Sequence, residues 1–230
     1  YKTLFSSISH EFRIPVATIM GASETLLNSS HPINIQSALF SEIFSASLRL
    51  NRLIENLLNM SRLESGMLSV RLDWCDINDV FNKVAEDLKD DLKPFKLSVF
   101  IPENMPLVKI DFGLIEQVLY NLLFNSTQYA PVASEINLTS AHENNELIMV
   151  VADKGPGFPE SELKNVFSKF FRINGRKTGG LGLGLSIVKG FVEAHNGKIT
   201  VENNKDGGSK FTIKIPSENP EINNLFLENE

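Results

Sequence analysis

Apolar or small residues recur at Phe5, Ile8, Phe12, Pro15, Ile19, Ala22 and Leu26, in alternating steps of three and four. Such a repeat is the seam of a helix that packs along a partner. A second seam runs through Leu39, Ile43, Ala46, Leu50, Leu53, Leu57 and Met60, widened by Phe40, Phe44, Ile54 and Leu58. Between them the turn formers Asn28-Ser29-Ser30-His31-Pro32 stop the first helix, which the spacing predicts from about Thr3 to Leu27. Two helices joined by so short a loop form an antiparallel hairpin. The second helix carries more apolar face than one hairpin partner can cover, so a second copy is expected to complete a four-helix bundle across a two-fold axis. Taken alone, the hairpin is equally a coiled-coil scaffold without chemistry.

With Phe5 at position a and Ile8 at d, His10 falls at f, the most outward place on the helix, with Glu11 beside it. Pro15 has no N–H to give the Glu11 carbonyl and its ring crowds that oxygen, so the helix is expected to loosen or kink just after the histidine. A lone exposed histidine ordinarily does nothing. His10 gains interest only from the motifs further along the chain.

A chain of 230 residues, 42% of them hydrophobic, has room for one large or two modest domains with cores. The 28 acidic against 22 basic side chains give a net charge of -6, which argues against nucleic acid as a partner. A single cysteine, Cys75, excludes an intrachain disulfide and a zinc cluster, fits a reducing compartment, and reads as a small buried apolar residue. No apolar run reaches the roughly eighteen residues of a membrane span, and no signal peptide opens the chain. Because Tyr1 already stands inside an amphipathic pattern without an initiator methionine, the chain is expected to be a piece of something longer.

The second helix ends at Ser61-Arg62-Leu63-Glu64-Ser65-Gly66, and Met67 to Leu72 alternates like a short strand. The expected organisation is therefore a hairpin over 1–66, a second domain over 67–216 and an acidic tail or linker over 217–230. Asp76 caps a helix carrying Val80, Val84 and Leu88. Leu97 to Ile101 and Leu107 to Ile110 read as strands flanking Pro102 and Pro106. A helix from about Phe112 to Tyr129 stacks Asn121 and Asn125 at i and i+4. Neutral amide oxygens are hard ligands that suit Mg²⁺ and add no repulsion against a triphosphate; an ordinary helix-surface position explains them equally well.

Strands over Ile136 to Ser140 and Glu146 to Ala152 flank the hairpin His142-Glu143-Asn144-Asn145. The second runs into Asp153-Lys154-Gly155-Pro156-Gly157-Phe158. A carboxylate there can accept the exocyclic amine of adenine, and glycines two and four residues on let a ligand approach the backbone. By itself this is also an ordinary turn. Glu160 to Phe167 reads as a short helix. It is followed by Ser168-Lys169-Phe170-Phe171-Arg172 and the basic Asn174-Gly175-Arg176-Lys177-Thr178-Gly179, either a lid that brings positive charge over phosphates or a solvated loop. Next, Gly180-Leu181-Gly182-Leu183-Gly184-Leu185-Ser186 opens a helix whose free amides favour phosphate. It lacks the Lys-Ser or Lys-Thr of a P-loop and the strand and spacing of a dinucleotide fold. His195 sits at that helix's C-terminus, and Lys198 to Glu202 and Ser209 to Ile215 form a hairpin around Asp206-Gly207-Gly208.

Ser9-His10-Glu11-Phe12-Arg13-Ile14-Pro15 resembles the H box of bacterial sensor histidine kinases, whose usual form is Ser-His-Glu-Leu-Arg-Thr-Pro. The Asn pair, Asp-x-Gly-x-Gly, the Phe-rich segment and the Gly-Leu-Gly-Leu-Gly run come in that family's order, so the resemblance spans about Tyr1 to Ile215. It implies a dimerisation and histidine phosphotransfer hairpin forming a dimeric four-helix bundle. After it comes an α/β two-layer sandwich of the GHKL or Bergerat type, shared with some chaperones and mismatch-repair ATPases.

By that resemblance His10 is the phosphoacceptor that attacks the γ-phosphate of ATP, and Glu11 orients its ring or takes its proton. Asn121 and Asn125 hold Mg²⁺ and phosphates, with Gln128 and Tyr129 in the same ATP-binding set. Asp153 binds adenine while Gly155 and Gly157 shape its pocket. Gly180, Leu181, Gly182, Leu183 and Gly184 line the triphosphate, and Lys169 and Arg172 face its charge. The phosphoryl group passes to an aspartate of a response regulator receiver domain. The homodimer forms through the hairpin, and this piece is cytoplasmic, its parent reaching the bacterial inner membrane only through missing upstream segments.

Two departures stand out. Gln128 occupies a place where the family usually carries Lys or Arg, so a degenerate kinase acting as a dimeric nucleotide-binding scaffold is the alternative. Ile14 stands where many relatives have Thr or Asn to position the water that dephosphorylates the regulator, so weak phosphatase activity is expected. A chaperone-type ATPase is disfavoured by the heptad hairpin with its outward His-Glu pair.

Overall fold

The computed structural model describes residues 2–28, 31–173 and 180–218. They form two compact units, one from Tyr1–Gly66 with Arg172–Leu183 and the other from Met67–Phe171 with Gly184–Glu230.

In the first unit the two heptad seams become α1 (Lys2–Asn28) and α2 (Ile33–Glu64). Glu11, in the first half of α1, meets Arg49, in the second half of α2, so the helices run antiparallel. Seam residues Ala22, Ala46, Leu53 and Met60 are buried, as is Pro15. The helix is continuous through Pro15; the proline sits at a d position with its ring buried in the seam, and the missing hydrogen bond removes one rung without ending the helix. The extra apolar face of α2 stays open on a single chain, with Phe40 60% and Phe44 66% exposed. No helix among the described residues is long and apolar enough to cross a membrane.

The second unit begins with β1 (Asp73–Cys75), α3 (Ile77–Asp87), the single turn α4 (Lys89–Leu92), β2 (Lys96–Phe100) and β3 (Val108–Ile110). Then come α5 (Phe112–Tyr129), β4 (Glu135–Glu143), β5 (Glu146–Ala152), α6 (Gly184–Ala194), β6 (Lys198–Asn203) and β7 (Ser209–Pro216). β1 and β3 pair as a small antiparallel ribbon. The main sheet has the order β2-β4-β5-β7-β6, parallel at the β2–β4 edge and antiparallel elsewhere. Alternation places Ile136 and Leu138 of β4, Leu147, Met149 and Val151 of β5, and Phe211, Ile213 and Ile215 of β7 on the buried side. The other half of the core is Val80, Phe81 and Val84 of α3, Ile115 to Leu123 of α5 at helical spacing, and Ile187, Val188, Phe191 and Val192 of α6. Each fully buried Leu, Ile or Phe contributes about 1.5–3 kcal/mol, which makes this layer of helix on sheet the main source of stability.

Caps set the helix starts. The Asp76 carboxylate accepts from the Asn78 amide at the start of α3, and Asp111 accepts from Leu114 at the start of α5. The second Asp111 oxygen accepts from the Arg71 amide at 2.8 Å, and the Asp111 amide donates to His195 Nε2 at 3.1 Å. His195, buried, donates through Nδ1 to the Phe191 carbonyl at 2.7 Å, which fixes its tautomer and joins the end of α6 to the start of α5.

Several local expectations are corrected. Met67 to Leu72 is not a strand: the Arg71 amide is taken by Asp111, and the partner β3 is only three residues long, so pairing begins at Asp73. Glu160 to Phe167 is not an α-helix but one 3₁₀ turn, Glu160–Glu162, continued by turns closed by Asn165 on Glu162, Ser168 on Asn165 and Phe171 on Ser168. The three-residue closure lets Val166 bury and brings Phe167 edge-on to Phe211. The β4–β5 turn is only Asn144-Asn145, both at positive φ, as a two-residue hairpin requires. At the chain's exit from the sheet, Ser217 is buried: its amide donates to Asn145, its hydroxyl accepts from Lys109 and its carbonyl contacts His142 Nε2.

Candidate functional site

In the first unit His10 is exposed on α1, as its f position requires. Glu11, one residue on, falls at position g and turns into the hairpin, where its side chain is only 8% exposed. Arg49 Nη2 approaches one carboxylate oxygen at 3.2 Å and Arg172 Nη1 the other at 3.4 Å. Arg49 stands at g in its own seam, so the pair is the flanking ion pair of an antiparallel coiled coil. The heptad count that puts His10 outward also marks Arg49, a residue that motif matching alone does not find. The carboxylate therefore engages two guanidiniums.

Gly180 and Gly182 adopt positive φ, 145° and 67°, while Leu181 and Leu183 are buried. The glycines serve backbone shape and the leucines anchor it. The basic run Asn174-Gly175-Arg176-Lys177-Thr178-Gly179 lies outside the described residues.

In the second unit the chemistry gathers where β5 ends. Asp153 is 6% exposed, and three donors converge on it. Oδ1 accepts from the Gly155 amide at 2.7 Å and the Ser209 amide at 3.3 Å, and Oδ2 accepts the Ser209 hydroxyl at 2.6 Å. A carboxylate offers about four acceptor positions, so one on Oδ2 remains for an outside donor such as an aromatic amine. Gly155 is required by space: a Cβ there would stand 2.8 Å from Asp153 Oδ1 and 3.2 Å from the Tyr129 carbonyl. Gly157, at φ +62°, would put a Cβ 2.5 Å from Asn203 Oδ1. These are the glycines of the Asp-x-Gly-x-Gly motif.

The other wall belongs to no motif in the sequence. Asp206-Gly207-Gly208 reads as a plain turn, yet a Cβ on Gly208 would fall 1.9 Å from the Asp153 carbonyl oxygen. Asn204 Nδ2 also reaches that carbonyl, at 3.3 Å. Ser209, Asn204 and Asn203 are thus parts of the site that lie some fifty residues beyond Asp153 and carry no local signal that could have joined them to it.

Asn121 and Asn125 lie one turn apart on α5, both half-buried. Asn121 Nδ2 donates to the Gln117 carbonyl at 2.9 Å, which leaves Oδ1 as the outward group. That oxygen lies 3.4 Å from where a Cβ on Gly184 would be, at the first residue of α6. Neutral amide oxygens beside a helix N-terminus form a donor set fit for a hydrated Mg²⁺ and the phosphates it accompanies. Gln128 is exposed, its amide 3.4 Å from Thr127 Oγ1, and Tyr129 is 40% exposed. Lys169 is exposed after the 3₁₀ turn.

A buried carboxylate at a strand end under a glycine turn, and an asparagine-bearing helix facing a glycine-started helix, define a nucleotide-binding α/β sandwich. It comes after a helical hairpin that displays a histidine. Residues 2–66 match the His Kinase A (phospho-acceptor) domain, and residues 111–219 match the histidine kinase-, DNA gyrase B- and HSP90-like ATPase family. The chain belongs to the sensor histidine kinase family, of which it comprises the catalytic core.

It is 36% identical over 221 residues to the sensor protein KdpD of Clostridium acetobutylicum, an alignment covering 94% of this chain and 24% of that protein. KdpD of Escherichia coli K12 is 34% identical, covering 95% of this chain and 25% of that protein. The chain thus spans about a quarter of the length of these relatives. Among solved structures, full-length ShkA in complex with AMPPNP superposes with a TM-score of 0.70 at 25% identity, covering 95% of this chain and 46% of ShkA.

Proposed function

We propose that this chain phosphorylates itself on His10 with ATP and passes the phosphoryl group to an aspartate of a response regulator receiver domain. An imidazole nitrogen of His10 bonds to the γ-phosphorus, the bond to the β–γ bridging oxygen breaks, and ADP leaves with that electron pair while the ring gives up a proton. In transfer, the aspartate oxygen bonds to phosphorus and the nitrogen–phosphorus bond breaks, restoring His10. The observation that carries the reading is the Asp153 carboxylate, buried, ordered by three donors and left with one open acceptor, in a chain that also presents His10 on a helix surface.

Asp153 selects adenine through its amine, while Gly155 and Gly157 admit the base. Asn121 and Asn125 would hold Mg²⁺, and Gly180 to Gly184 follow the triphosphate with their amides. When bound, Mg²⁺ would neutralise phosphate charge. Lys169 and Arg172 oppose the charge that develops on the transferred group, and Glu11 serves His10 only once it is released from an arginine. ShkA, solved with AMPPNP, an analogue of ATP, supports the nucleotide assignment. The exposed Phe40, Phe44 and Leu58 support a homodimer through the hairpin. Ile14, 38% exposed and without a polar group, supports weak phosphatase activity. The parent protein meets the inner membrane through upstream segments, and this core works on the cytoplasmic side.

The test is incubation with γ-labelled ATP and Mg²⁺, comparing wild type with His10→Ala and Asn125→Ala and assaying acid lability. Acid-labile label that requires both residues is expected. A folded chain that binds Mg-ATP yet takes no label would replace the kinase reading with the dimeric scaffold that Gln128 suggests.

A further inference from the structure

We infer that Asn203, the last residue of β6, is a positioning residue that sets the width of the adenine pocket. The inference rests on the reading of Asp153 as the adenine-binding carboxylate. Asn203 Oδ1 accepts from the Phe158 amide at 2.8 Å and Asn203 Nδ2 donates to the Phe158 carbonyl at 2.7 Å. One side-chain amide thereby pairs with both backbone groups of Phe158, as a neighbouring strand residue would. The Asn203 amide also reaches Glu160 Oε1 at 3.2 Å.

The pairing spans a gap in the sheet. β5, which carries Asp153 at its end, is separated from β6 by β7, so the segment from Asp153 to Phe158 must pass over the start of β7. Gly208 lies beneath it with no room for a Cβ, and Gly157 closes against the Asn203 amide, also without room. Phe158 packs edge-on against Phe211 of β7 at 6.0 Å between ring centroids. The loop is therefore held by Asp153 at one end and by Asn203 at the other, with only Lys154, Gly155, Pro156 and Gly157 between them. Within that stretch the Gly155 amide donates to Asp153 Oδ1 at 2.7 Å, so the Asn203 clamp at its far end bears on how the loop stands over the group that selects the base.

Without the clamp the loop samples displaced positions, and affinity falls with the fraction of chains in the competent one. Losing two hydrogen bonds from an ordered loop predicts affinity about tenfold weaker. Because the fault lies at the base, ATP and adenosine suffer by the same factor, although adenosine has no phosphate.

The experiment is calorimetric titration of the full chain, with Mg²⁺, by ATP and by adenosine, for wild type, Asn203→Ala and Asn203→Ser. Asn125→Ala is the contrast, and melting curves report folding. Asn203→Ala is expected to weaken both ligands equally, Asn203→Ser less so, and Asn125→Ala to weaken ATP alone. If Asn203→Ala does not fold, Asn203→Ser carries the same comparison. A folded Asn203 variant that binds both ligands as wild type does, or that loses ATP but keeps adenosine, overturns the inference and leaves the nucleotide reading intact. Wild type that binds ATP but not adenosine in competition with it overturns the adenine reading and the inference together.

Discussion

Replacing Ser209 with Ala deletes the hydroxyl that donates to Asp153 Oδ2 at 2.6 Å, a short bond ending on a carboxylate only 6% exposed. The two amide donors, from Gly155 and Ser209 itself, both fall on Oδ1 and survive the change. Oδ2 then keeps no protein partner, only the position that the site leaves open to an outside donor. A hydrogen bond to a charged group contributes about 1.5–3 kcal/mol. At about 2–4 °C per kcal/mol for a domain of this size, the second unit should melt roughly 3–12 °C lower. The assay is scanning calorimetry of the nucleotide-free chain, with Ser209→Thr as the variant that keeps the hydroxyl and should melt near wild type. Ser209→Ala within about 1 °C of wild type would show that the Asp153 carboxylate is not held by this bond, and the account of how its lone pairs are shared would fail.

Two further outcomes are expected. Burial pushes the Glu116 carboxyl above its ordinary value of 4.5, against the pull of Lys83 and with help from a hydrogen bond to Asp87. The folded chain thus holds this proton more tightly than the unfolded one, a contribution present below the unfolded value and lost as pH rises through the folded one. Glu116→Gln should therefore melt above wild type at neutral pH, with the gap closing as pH falls toward 4.5; a gap independent of pH would refute this. Ile14→Thr supplies a hydroxyl one helical turn beyond His10, and it should speed loss of phosphate from the partner regulator by about tenfold, roughly what one hydrogen bond to the attacking water contributes. A wild-type rate already matching the variant would remove Ile14 from the explanation.

How much of the structure is legible in the sequence depends on the range of the forces involved. α5 is bounded correctly from Phe112 to Tyr129 because its signals are local, with a capping Asp111 and apolar residues at helical spacing. The hairpin is legible for the same reason. Strand alternation also locates β5 and the sheet half of the core. Met67 to Leu72 misleads because its alternation is genuine, but its backbone donor goes to Asp111, forty residues away. Glu160 to Phe167 misleads because its tighter turns go with the packing of Phe167 on Phe211, a contact made across more than forty residues. At the site, the motif glycines and Asp153 announce themselves, whereas Ser209 and Gly208 matter only because the fold lays the β6–β7 turn under the Asp153 loop. Position g for Glu11 can be counted from the heptad, but that its carboxylate engages two arginines cannot.

The close fit of Gly208 beneath Asp153 and of Gly157 against Asn203 also constrains how such a chain can drift. A side chain added at either glycine meets the opposite loop before it meets solvent, so neither loop can accept the substitution first and wait for the other to adjust. The two segments are therefore expected to change together or not at all. The exposed turn residues at 205 and 206, which bear on neither contact, are expected to tolerate substitution alone.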